Sequence, residues 1–179
     1  MHLLESRNVY MSKDKALKEK VLKAQQDGDI AALYVLEQQA HDTFDEETLQ
    51  GFYANILDLA LERLTQTLEA HRAMDINEVQ DFATLRALYE YAIEHYSAGK
   101  TEDAAALFEV LSGLSNDEKF SNAMKLHWIA AQEKISFDDF LDRIADIEAT
   151  QRAGTFYISE FQKEAQRLLD NVKDKGGKV

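Results

Sequence analysis

Proline is absent from all 179 residues of the chain, and no other feature narrows the possible folds as far. Proline is the strongest helix breaker, because it lacks the backbone N–H and its ring collides with the preceding turn. A proline-free chain rich in Ala, Leu, Glu, Lys and Gln favours helix along its length, with glycine left to punctuate it. The expectation is an all-α fold of antiparallel helical hairpins, about seven helices in a single domain over residues 12–173. Residues 1–11 show no periodicity and are expected to be a disordered N-terminus, and residues 174–179 a flexible tail. Met11, followed directly by the capping residue Ser12, offers a second start.

The best-defined unit is Leu85 to Leu114. Leu85, Leu88, Ala92 and His95 recur at intervals of three and four, which aligns them along one side of a helix. Gly99 suits the left-handed conformation past a last turn, and Thr101 is placed to cap a second helix with Glu102 and Asp103 in its first turn. Ala104, Ala105, Phe108 and Leu111 form the apolar face of that second helix, and the alanines allow the two backbones to approach closely.

The order Leu88, Ala92, Tyr96, Gly99, Ala104, Phe108 resembles one tetratricopeptide repeat, a helix-turn-helix unit of about 34 residues. The fuller pattern Leu88-Tyr89, Ala92, Tyr96, Gly99-Lys100, Glu102-Asp103-Ala104, Phe108, Leu111 is similar to the first repeat of the bacterial chaperones that hold type III secretion translocator proteins. The resemblance covers about 30 of the 179 residues, and residues 1–80 have no counterpart in it. It implies a right-handed stack of hairpins whose inner helices face a peptide-binding groove.

The rest of the chain reads as further hairpins. Ser12 caps a helix over about 13–26 with Leu17, Val21 and Ala24 inward. Its partner runs from Ile30 to His41, with Leu33, Leu36 and Ala40 inward. Thr43 and Glu46 have capping-box spacing for a long helix reaching about Arg72. That helix carries one stripe at Leu49, Phe52, Ile56 and Leu59 and a neighbouring one at Tyr53, Leu57, Leu61, Leu64 and Leu68. Asp75 and Ser115 head further capping boxes, the second opening a helix with Phe120, Ala123, Met124, His127 and Trp128. Ser136 caps a partner whose buried line is Phe137, Phe140, Leu141, Ile144 and Ile147. Glu133-Lys134 stands where a glycine would close that turn. Gly154-Thr155 separates a last helix carrying Ile158, Phe161, Ala165, Leu168, Leu169 and Val172.

Charge bears on partners. Net charge is −13, but residues 1–27 and 163–179 each carry +2, so the body between them carries −17. Such a body repels phosphate backbones and anionic lipid, which argues against nucleic acid and membrane as partners. Without Cys there is no disulfide, thiolate nucleophile or thiolate metal site. No apolar run is long enough to span a bilayer, so the expected location is the cytoplasm.

No phosphate loop, nucleophile elbow or zinc-protease helix occurs, so no catalytic residue is assigned and an enzyme is not expected. No cofactor or metal is expected either. Glu37 with His41, and Glu90 and Glu94 beside His95, have spacings open to a metal but read as solvated helix faces. Asp138, Asp139, Asp142 and Asp146 read as helix-dipole partners, and His127 as a packed histidine.

A second apolar face on the central helix, Tyr89, Ile93 and Tyr96 with Arg86 preceding, needs a cover. The repeat resemblance makes these residues, together with Trp128, contacts for a protein or peptide partner. Packing inside the domain explains them equally well. The expected function is a protein-binding adaptor or small chaperone that holds a peptide segment. The alternative is a structural or regulatory homodimer without a groove, joined through Tyr53, Leu57, Leu61 and Leu64.

Overall fold

The computed structural model describes residues 2–174, among which the regular secondary structure is all helical and contains no strand. Ten helices follow in order: α1 (His2–Gln26), α2 (Ile30–Val35), α3 (Glu37–Thr43), α4 (Glu46–Glu69), α5 (Val79–Ser97), α6 (Thr101–Leu114), α7 (Glu118–Gln132), α8 (Phe137–Asp139), α9 (Ile147–Ala153) and α10 (Glu164–Asp174). The tail expected from Asp174 onward lies, past that residue, outside the described ones. Ser12 does not start a helix. It lies inside α1, and nothing in residues 2–11 breaks the helix.

Helix α5 is the centre of the fold, with Leu85, Leu88, Tyr89, Ala92 and Tyr96 all buried. Gly99 takes φ +79° and reverses the chain, and α6 returns against α5 through Ala104, Phe108 and Leu111. Thr101 is the first residue of α6, and no side chain caps that helix. Helix α7 packs along α6 and buries Phe120, Met124, His127 and Ile129. Its turn closes without glycine, because Lys134 itself adopts φ +59°.

The expected caps are displaced by two or three residues. Asp45, not Thr43, caps α4, and its carboxylate accepts from the Thr48 N–H at 2.8 Å. Glu78 caps α5, and Asp117 caps α7. In each case an acidic side chain nearer the helix outcompetes the residue that opened the box pattern. The expected helix 30–41 is broken at Leu36 into α2 and α3.

The largest departure lies after α7. Ser136 caps as expected, accepting from the Asp139 N–H, but the helix widens into a π-helical turn over Phe140–Ile144 and then stops. The stop comes from a distant segment. Gln162 donates its backbone N–H to the Ile144 carbonyl, and its side-chain amide to the Asp142 and Ala145 carbonyls, each at 2.8 Å. These bonds satisfy the carbonyls that a continuing helix would have used. Residues 155–163 are therefore not the start of the last helix. They form an irregular strap packed on α5 and α7, with Tyr157 and Ser159 buried.

Helix α2 is held against α5 by a cap from outside itself. The Gln80 side-chain oxygen accepts from the Ile30 N–H at 3.1 Å and the Ala31 N–H at 3.3 Å, and its amide donates to Asp29 at 2.7 Å. Asp81, also on α5 and buried, accepts two bonds from Arg63 and one from the Asp75 N–H, which ties α4 and the loop after it to the same helix. These two clamps set α2, α4 and α5 around one surface.

Candidate partner-binding surface

Tyr89 and Tyr96 are interior residues, so of the two readings left open for them, a groove or packing inside the domain, the second is the one found. The strap covers Tyr89. Its hydroxyl oxygen accepts from the Ile158 N–H at 3.0 Å, and Phe156 and Tyr157 pack edge-on against its ring. The Tyr89 hydroxyl also lies 2.8 Å from Nε2 of His127, whose Nδ1 lies 2.7 Å from the Ala123 carbonyl. A carbonyl only accepts, so Nδ1 carries the proton, Nε2 accepts, and Tyr89 donates. Burial keeps this ring neutral, lowering the His127 pKa from 6.5 to about 4. Tyr96 is covered by Phe137 and Phe140, and its hydroxyl donates to the Ile135 carbonyl at 2.7 Å. Ile93 and Trp128 are half-buried against the same core. The fifth expected contact, Arg86, does reach a surface.

Arg86 lies 4.0 Å over the Tyr34 ring and forms ion pairs with Glu37 at 3.3 Å and Glu90 at 2.9 Å. The Tyr34 hydroxyl donates to the second oxygen of Glu90 at 3.1 Å. This stack is a ridge between two depressions. On one side a cavity of about 550 Å³ is lined by Tyr34, Tyr53, Leu57, Glu90, Tyr91 and Glu94, with Ala87 and Ile56 at its floor. On the other, a depression of about 260 Å³ lies among Ala31, Ile76, Val79, Phe82 and Ala83. Val79 is 64% and Phe82 41% exposed, so the rim of the smaller depression presents apolar side chains to water.

The larger depression has a negative field. The Tyr53 phenol is pushed up to about 12, first by burial and then by the Glu37 carboxylate, and the Tyr34 phenol is raised by burial and by Glu90. The Tyr53 hydroxyl sits 2.6 Å from His41 Nε2. Tyr53 and Leu57, expected at a dimer interface, line this depression, while Leu61 and Leu64 are half-buried against the core. No group of three or more metal-ligating side chains occurs among the described residues, and no helix there is long and apolar enough to cross a membrane.

Tyr34 and Tyr91 had no place in the expected site. Tyr91 lies one turn after Ala87 and beside Glu90 and Glu94, a pattern that reads as a solvated face. Only the arrival of α4 and α2 turns that face into a wall. Compared with protein-family models, characterised proteins and solved structures, the chain matches none.

Proposed function

We propose that this chain is a protein-binding module, an adaptor or small chaperone, that takes a segment of a partner across the two depressions flanking the Tyr34–Arg86 ridge. The observation that carries the reading is the pairing of exposed apolar side chains, Val79 and Phe82, with an aromatic, carboxylate-rimmed cavity on one face. Concave apolar surface with a few convergent polar groups is what a recognition site requires. The α5–α6 hairpin supports a tetratricopeptide-like origin: Gly99 turns the chain and small residues, Ala92 and Ala104, are fully buried in the two helices. The resemblance to secretion chaperones extends the reading to a cytoplasmic holder of a secreted client. The acidic body fits a basic partner and disfavours nucleic acid and membrane.

A second reading rests on Tyr53 and Leu57, which would seat another copy of this chain in the larger depression. One experiment separates the two. The wild-type chain and a Phe82→Glu variant are used to capture partners from native lysate, and the captured protein is purified and titrated against both. The adaptor reading expects one partner whose affinity drops at least tenfold in the variant, since burying a Phe contributes about 1.5–3 kcal/mol. Capture of nothing but the chain itself, with a dimer mass by light scattering, replaces it with the homodimer.

A further inference from the structure

Arg86 shows what the chemistry of this surface holds. A guanidinium lies flat on a tyrosine ring while carboxylates on two sides, Glu37 and Glu90, take its N–H groups. Stacking on an aromatic face together with directed bonds to carboxylate is the binding mode that the planar guanidinium favours over a point-charge ammonium.

The same components recur next to it. The larger depression brings Tyr53 from α4 and Tyr91 from α5 to one cavity with Glu90 and Glu94 at its edge. Glu94 is exposed, and its carboxylate makes no hydrogen bond or ion pair among the described residues. Arg86, the cation stacked on the Tyr34 ring, is already engaged by two carboxylates. Two carboxylates, Glu90 and Glu94, line the cavity, and among the described residues no lysine or arginine side chain does. The lining of Ala54, Leu57 and Ala87 gives apolar ground for an aliphatic stem.

We infer that the cavity between α4 and α5 is a receptor for an arginine side chain of the partner segment, stacked against Tyr53 or Tyr91 and paired with Glu94. The inference rests on the docking reading above and adds to it the residue type that anchors the segment. An arginine entering here would place the backbone of its segment over the Tyr34–Arg86 ridge, with neighbouring apolar residues falling toward Val79 and Phe82.

The test uses N-acetyl-arginine amide as probe, with N-acetyl-citrulline amide as the isosteric uncharged control and N-acetyl-lysine amide as the second cation. Each is titrated into the 15N-labelled full chain and followed by amide shifts. The inference expects saturable shifts confined to Gln50, Tyr53, Ala54, Leu57, Tyr91 and Glu94 with the arginine probe. Citrulline should bind at least tenfold more weakly, lysine should bind more weakly than arginine, and Glu94→Gln should weaken arginine several-fold while leaving the spectrum otherwise intact. Arginine and citrulline shifting these amides equally, or arginine shifting none of them, overturns the inference. Neither result touches the docking reading, which stands or falls on the Phe82→Glu partner titration.

Discussion

Lowering the pH should destabilise this protein through one buried ring, His127. In the folded chain its Nδ1–H is given to the Ala123 carbonyl and its Nε2 takes the Tyr89 hydroxyl proton. A second proton on the ring would face a hydroxyl that has to turn away, among Phe108, Phe140 and Phe161. Among the described residues Tyr89 is the one titratable group in ring contact with it, and burial raises that phenol. The folded pKa of about 4 lies below the ordinary 6.5, so the unfolded chain binds the proton first. Stability is therefore complete above 6.5 and falls as pH drops toward about 4. That gap, at about 1.4 kcal/mol per pH unit, amounts to about 3 kcal/mol, a large part of the stability of an ordinary domain. Urea denaturation between about pH 7 and pH 5, run on wild type and His127→Gln, isolates this contribution from the carboxylates common to both. The expected result is a wild-type slope steeper by about 1 kcal/mol per pH unit, with the His127 ring resonance in the folded protein unchanged down to about pH 5. Parallel slopes, or a ring that titrates in the folded state near its ordinary value, would refute the reasoning.

Other perturbations follow from the same structure. Gln80→Ala leaves the Asp29 cap on α2 but takes the side-chain acceptor from the Ile30 and Ala31 N–H groups, and should cost about 1–2 kcal/mol in urea unfolding. Lys134→Gly relieves a non-glycine residue at φ +59° and should add about 0.5–1 kcal/mol, seen as a rise in Tm of about 2 °C. Tyr96→Phe deletes the bond to the Ile135 carbonyl while keeping the packing, and should lower stability by about 1 kcal/mol without changing partner affinity.

How much was legible varied with the range of the cause. The all-helical character follows from composition, and Gly99, Gly154 and Ser136 punctuate the chain where their local chemistry says they should. The inward rows Leu17-Val21-Ala24 and Ala104-Phe108-Leu111 are buried as periodicity requires. The failures share one origin, which is that the deciding partner is far away in sequence. The helix after Ser136 stops because Gln162 takes its carbonyls, and no local feature of Phe137 to Ile147 announces that. Tyr89 and Tyr96 needed a cover, and sequence could not say that Ile158 and Ile135 supply the bonding groups beneath it. Tyr34 and Tyr91 form a wall only once Gln80 has set α2 against α5.

The Gln80 clamp also has a consequence for the order of folding. At six residues α2 is too short to hold a helix by itself, and the acceptor for its first N–H groups lies 50 residues downstream. The N-terminal part of the chain must wait for that long loop to close, whereas the turns joining α5, α6 and α7 close locally. The hairpin core then assembles before α2 docks, so the Tyr34 side of the surface can open ahead of global unfolding.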